Sequence, residues 1–411
     1  MKKALFIGHV WPEPSTTAAG HRMLQLLDAF QKFGYQITFA STAQKTEYSL
    51  DLAGMGITSV DILLNHSSFD VFISELSPDV VVFDRFMVEE QFGWRVAEFA
   101  PKAIRILNTE DLHGLRKARE EAHKKQEPFA LDQWTNHPTT LRELASIYRS
   151  DLSLMISGYE LTILQETLKV PENLLLHLPF MVKSISKQDY LQWPNFEDRK
   201  DFVTVGNGRH APNVDSIQVL KTKIWPLIRK ELPDAQIHVY GAYLPKQIKE
   251  MHHPEQGFLV KGWGEDIGDI MESARLVLAP IQFGAGIKGK LLDAMRHGAP
   301  SITTPIGAEG MHGNLPWNGT ICQDWESFAK ATITLYQNPV QWKEAQADGV
   351  VLVNTLYDKE KLQDQLQQTL ETLHQNLDAH RNQNFIGRLL QHHTLASSKY
   401  MAKWIEAKNR K

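Results

Sequence analysis

One stretch combines the residue types that hold a phosphate: Ala279-Pro280-Ile281-Gln282-Phe283-Gly284-Ala285-Gly286-Ile287-Lys288-Gly289-Lys290-Leu291-Leu292-Asp293-Ala294-Met295. An apolar β-type run enters a glycine-rich loop, and a helical pattern leaves it. Such a loop lets main-chain N–H groups and the positive end of a helix approach an anion. Lys288 and Lys290 add charge.

Three chemistries compete for this stretch. Gly284, Gly289 and Lys290 satisfy the Gly-x4-Gly-Lys of a phosphate-binding loop, but Leu291 stands where Ser or Thr would hold magnesium. Gly284, Gly286 and Gly289 also fit Gly-x-Gly-x-x-Gly, and Gly206, Gly208 and Ala211 fit its Gly/Ala variant. A dinucleotide site then needs an acid after the following strand to hold the ribose. Gly241-Ala242-Tyr243 and Thr303-Thr304-Pro305 supply none. The third chemistry is a nucleotide-sugar diphosphate held by the loop, with Asp293 accepting from ribose hydroxyls. Taken singly, Asp293 also reads as a solvated helix acid and Lys288 as a surface lysine.

Several segments in order resemble retaining glycosyltransferases of family 4, the group 1 glycosyltransferases with the GT-B fold. Val205-Gly206-Asn207, Arg209 through Asp215, Ile224 through Ile228, Leu232 through Ala235 and Val239-Tyr240-Gly241 resemble the opening βαβ of the family's donor domain. The glycine-rich stretch is similar to its donor motif. Gly298 through Thr304 with Gly307-Ala308-Glu309-Gly310-Met311 is similar to the family's segment after the donor helix. In the first half, Gly8, Pro14 and Gly20-His21-Arg22 resemble the first-strand loop and helix start. Thr109-Glu110-Asp111-Leu112-His113 resembles the segment with the active-site histidine, and Ser157-Gly158-Tyr159-Glu160 a strand end.

The resemblance implies transfer of a sugar, hexosyl in type, from a nucleoside-diphosphate donor to a hydroxyl acceptor with retention. UDP is expected over GDP, and neither metal nor cofactor is expected. It implies catalytic roles for His113, Lys288 and Arg209. It implies donor contacts from Gly206, Asn207, Gly241, Phe283, Gly284, Ala285, Gly286, Ile287, Lys288, Lys290, Asp293 and Glu309, and an acceptor-side loop at Gly20 and Arg22. The chain departs from the family where two glutamates bracket seven residues, since Ala285 and Asp293 stand there. Main-chain N–H groups near Phe283–Ile287 would then serve the donor sugar. Asn207 and Asn213 replace the family's arginine and lysine, leaving Arg209 and Lys288 for the phosphates. Two other outcomes stay open: a non-catalytic nucleotide-sugar-binding subunit and a GT-B epimerase.

These residues must be held by alternating elements. Apolar runs at Ala4–Gly8, Gln36–Ala40, Val60–Leu64, Val80–Phe83, Ile104–Leu107, Leu152–Ile156 and Leu174–Leu178 alternate with helical patterns. Ser184–Lys200 is polar and aperiodic, a linker. The alternation restarts at Phe202–Val205 and continues through a helix Pro212–Arg229 to Pro300–Thr304. This predicts two α/β Rossmann-like domains facing across a cleft. The expected division is 1–183 on the acceptor side, linker 184–200, donor domain 201–375, and returning helices 376–411. A stripe of Leu362, Leu366, Leu370 and Leu373 reads as core packing.

Composition sets the outer limits. The 411 residues carry 44 Lys+Arg against 48 Asp+Glu, a formal net charge of -4. That balance argues against a nucleic-acid binder with a global basic field. A single cysteine, Cys322, excludes an internal disulfide framework. With no Asp-x-Asp and no zinc-type histidine spacing, no metal site is expected. The absence of a leader or long apolar run predicts a cytoplasmic protein. The tail Ser398–Lys411 is basic, with Tyr400, Met401, Trp404 and Ile405 on one helical face. It suits either docking onto the first domain or contact with the inner face of an anionic membrane.

Overall fold

A computed structural model describes residues 2–409, with the side chains at 393–396 and 398 outside the description. The first sheet has strands β1 (Lys3–Gly8), β2 (Gln36–Ser41), β3 (Thr58–Asp61), β4 (Val80–Asp84), β5 (Ile104–Asn108), β6 (Leu152–Met155) and β7 (Leu175–His177). The second has β8 (Lys200–Val205), β9 (Ile237–Tyr240), β10 (Phe258–Gly262), β11 (Ala274–Ala279), β12 (Ser301–Thr303) and β13 (Gly319–Ile321). Their orders are β3-β2-β1-β4-β5-β6-β7 and β10-β9-β8-β11-β12-β13, and every pairing is parallel. Both sheets therefore reverse direction beside their first strand, which opens a crevice at the carboxyl ends.

Strand periodicity builds the cores. On β4, Val80 and Val82 enter one core while Val81 and Phe83 enter the other, as alternation across a pleat demands. Both faces of the strand are buried, so it reads as a continuous apolar run. On the second sheet, Phe202, Ile237, Val239, Leu276 and Leu278 pack against Trp225 and Ile228.

Four local expectations are corrected. The run Val60–Leu64 pairs earlier: β3 is Thr58–Asp61, in register with Thr38–Ser41, while Leu63 and Leu64 are exposed. The polar linker contains a helix, Lys187–Gln192, started by a reciprocal Ser186–Asp189 cap. The helix expected over Pro212–Arg229 widens into a π-turn at Leu220–Ile224. Pro226 lacks the N–H that an α-helical bond there requires, so the ladder must change before it.

The fourth correction concerns the domain boundary. Leu366, Leu370 and Leu373, on helix Lys359–Gln383, are buried with Phe6, Leu27 and Phe30 of the first domain. The crossing occurs where Val182 bridges Asp358, with Val182 N–H on Tyr357 O at 2.9 Å and Lys359 N–H on Val182 O at 2.9 Å. Residues 359–375 thus pack with the first domain. The last helix, Phe385–Asn409, also lies on that domain, where Ala402 packs with Trp94. Arg381 anchors the turn between them, with its guanidinium 2.7 Å from Asp151.

Candidate active site in the interdomain cleft

The two crevices face each other around a cleft of about 960 Å³. The first-domain wall comes from the ends of β4 and β5. Asp84 accepts the His9 N–H at 3.2 Å. Arg85 and Glu110 hold left-handed backbone conformations, with φ of 73° and 62°. That conformation is costly for residues with a Cβ and is found where surroundings over-determine it. Here Arg85 N–H is fixed on Asn108 O at 2.8 Å, and Asn108 Nδ2 donates to Glu110 Oε1 at 2.7 Å.

Burial, with Asp84 nearby, pushes the Glu110 carboxyl up to about 7. Asp111 goes the other way. Burial would raise it, but Arg116, at 2.7 Å, and His113 hold it below the usual carboxylate range. His113 starts helix His113–Lys125, whose first two N–H groups, His113 and Gly114, donate to Glu143 at 2.6 Å each. A buried carboxylate on a helix N-terminus is favoured by both hydrogen bonding and the dipole. The imidazole Nε2 lies 3.7 Å from Asp111, and the ring meets Phe86 edge-on.

The second-domain wall is the glycine-rich loop after β11 and the start of helix Gly289–Arg296. Lys288 Nζ donates to Gly286 O at 2.9 Å, and Lys290 Nζ to Asn213 Oδ1 at 2.8 Å. Burial lowers both ammonium groups, to about 8 and about 7. Arg209 stacks its guanidinium 3.6 Å from the Tyr243 ring centre, and Asp293 pairs with Arg296 at 3.2 Å. Phe283 stacks on His123 with ring centres 4.8 Å apart. Burial, then Arg116, lowers His210 to about 4, so this ring stays neutral at pH 7.

The structure brings together His113, Gly20, Gly206, Asn207, Arg209, Gly241, Phe283, Gly284, Ala285, Gly286, Ile287, Lys288, Lys290 and Asp293 around this cleft. Two expected residues stand elsewhere. Arg22 is fully buried, donating to Asn108 Oδ1 at 3.2 Å and Pro179 O at 2.9 Å. Burial lowers it to about 10, and it braces the ends of the strands. Glu309 is held in a bidentate pair by Arg119, at 2.7 and 2.8 Å.

That pair belongs to a seam between the domains. Arg119 also donates to Gly284 O at 2.8 Å, and Gly286 N–H donates to Glu160 Oε1 at 2.7 Å. Glu160 is fully buried, and its Oε2 has no hydrogen-bond partner among the described residues. Burial and neighbouring Asp111 push it up to about 8, so a proton on Oε2 is the state its surroundings favour at pH 7. A Cβ on Gly286 would lie 2.9 Å from Asp111 Cβ, and its φ is 65°. Only glycine meets both conditions without displacement. Further seam contacts run from Asn207 Nδ2 to Thr16 O and from Trp263 Nε1 to Ser15 O, each at 3.2 Å. Sequence reasoning missed Arg119, Glu143 and the roles of Glu110 and Glu160. Only Glu110 and Glu160 lie within segments that carry the family resemblance.

Residues 199–338 match the family model described as glycosyl transferases group 1. Over that span the chain is similar to a group 1 glycosyltransferase domain. This match covers β8 to the helix after β13, the half that contributes the glycine-rich loop. A protein from the cps region of Klebsiella pneumoniae, described as uncharacterized, is 27% identical over 165 residues. That alignment covers 38% of this chain and 42% of the relative, so the chain spans about two fifths of that relative's length.

Solved structures align over nearly the whole chain. Sucrose-phosphate synthase from Thermosynechococcus elongatus has a TM-score of 0.67 at 13% identity, covering 91% of this chain and 99% of its own. HepE from Anabaena, solved with UDP and glucose, has 0.65 at 14%, covering 91% and 100%. TarM has 0.67 at 11%, covering 90% and 99%. At these identities the likeness is one of fold, and the fold is GT-B.

Proposed function

We propose that the cleft transfers a glycosyl group from a UDP-sugar to a hydroxyl acceptor with retention and without a metal ion. The observation that carries this reading is the matched domain's glycine-rich loop, with Lys288 and Lys290, opening onto the Glu110–His113 wall. UDP in the HepE structure supports the choice of nucleotide. In the reaction the bond from the anomeric carbon to the diphosphate oxygen breaks. The acceptor oxygen bonds to that carbon on the same face, and the acceptor proton passes to the leaving phosphate oxygen. Main-chain N–H groups of the loop, the N-terminus of helix Gly289–Arg296, Lys288 and Arg209 stabilise the charge that builds on the diphosphate. Asp293 takes the ribose hydroxyls, and His113 faces the transferred sugar.

A thermal-shift screen of UDP, GDP and their sugars tests the nucleotide. UDP is expected to raise the melting temperature more than GDP. Product analysis with UDP-sugar and candidate saccharide acceptors then tests transfer and anomeric configuration. A larger shift with GDP overturns the choice of base. Nucleotide binding with no transfer to any acceptor points to a non-catalytic subunit, and an altered nucleotide sugar without acceptor points to an epimerase.

A further inference from the structure

The last helix, Phe385–Asn409, has two unlike faces. The inner face is fitted to the first domain. A Cβ on Gly387 would lie 2.1 Å from Tyr148 O, Ala402 is buried, and Glu406 accepts from the Ser67 hydroxyl at 2.6 Å. The outer face carries Phe385, Ile386, Leu389, Tyr400, Met401 and Trp404, between 44% and 69% exposed.

At 3.6 residues per turn these six side chains fall within about 160° of the circumference, and 385 to 404 spans about 28 Å. Two exposed apolar groups, at 385–389 and 400–404, thus share one side of the helix, and such exposure marks a binding surface. Its charge says for what. Lys403 and Lys408 are exposed on that side of the helix, and Lys408 Nζ lies 5.3 Å from the Trp404 ring centre. The only carboxylate side chain among the helix's described residues, Glu406, is turned inward to Ser67. Among the described residues no helix is long and apolar enough to cross a membrane. An apolar, aromatic face edged by cations is the pattern of a helix that lies in an anionic interface.

We propose that the outer face of helix Phe385–Asn409 seats the first domain on an anionic phospholipid surface. Tyr400 and Trp404 enter the headgroup region, and Lys403 and Lys408 meet the acidic headgroups. A second copy of the chain is the competing occupant.

Flotation of the full chain with two vesicle types tests this: phosphatidylcholine alone, and phosphatidylcholine mixed with an equal part of phosphatidylglycerol. Binding is expected to the mixed vesicles and to weaken as salt is raised. Each lysine near an anionic surface is worth about fivefold in affinity. Lys403→Gln with Lys408→Gln should therefore cost about thirtyfold. Tyr400→Ser with Trp404→Ser should cost at least about tenfold. Val340→Ser, an equally exposed apolar residue on the second domain, should change nothing. If the aromatic pair fails to fold, the lysine pair and the salt series decide. Failure to float with mixed vesicles, or equal flotation of wild type and variants, overturns the proposal. So does a dimer by light scattering that Tyr400→Ser with Trp404→Ser dissolves.

Discussion

Lys288 and Glu160 face each other across the same seam with opposite displacements, burial lowering the ammonium and raising the carboxyl. Removing the Lys288 side chain takes away a charge-assisted contact worth about 1.5–3 kcal/mol. Lys288→Ala and Asp293→Ala are each expected to lower kcat/KM for the nucleotide sugar by about tenfold to a hundredfold. Circular dichroism should be unchanged, and an unchanged kcat/KM for the nucleotide sugar in both variants rejects the site. Glu160 makes a pH prediction. Its folded value of about 8 lies above the ordinary 4.5, so the folded state binds more protons between them. The stability this contributes is complete below 4.5 and is lost as pH rises through 8. Melting temperature should fall across that window, and Glu160→Gln should flatten the fall. Parallel curves would remove Glu160 as its source. The spacing of Gly284, Gly286 and Gly289 was legible because main-chain approach demands glycine itself. The shifted acids were not. A sequence shows a carboxylate but not the burial that changes its proton affinity.

Elements were legible where one period runs long enough. The β4 run and the leucine stripe of helix Lys359–Gln383 each announce a buried face. The stripe does not announce its partner, so pattern alone places 359–375 with the second domain although Leu366, Leu370 and Leu373 complete the first. The apolar run at residues 60–64 misleads for a related reason. Register with β2 decides which residues pair, and it leaves Leu63 and Leu64 outside. Leu370→Ala creates a cavity beneath the first sheet. It should cost about 2–5 kcal/mol in denaturant unfolding. If UDP protects the donor half independently, its midpoint shift should survive. A loss below about 1 kcal/mol, on the order of a surface substitution, would contradict the packing.

At the scale of the whole molecule, the near-neutral charge hides a strongly patterned interior. Arg119, from the first domain, grips Glu309 and Gly284 O of the second. Arg119→Ala leaves the Glu309 carboxylate without its partner and removes the link to the loop. The expected result is a more open molecule, read as a larger radius of gyration by small-angle X-ray scattering. An unchanged profile with and without UDP would show that the remaining seam contacts suffice. The GT-B plan was legible from the restart of alternation near Phe202; this seam was not, because it joins residues from distant segments through geometry alone. The return of the chain at Val182 and Asp358 has a consequence during synthesis. The strands of the first domain are translated before the second domain, yet part of their apolar face waits for Leu366, Leu370 and Leu373. The whole second domain is translated in that interval. The nascent first half, covered by Leu26, Leu27 and Phe30, therefore stands with the rest of that face open until helix Lys359–Gln383 arrives, and a chain cut short after the second domain leaves that part open.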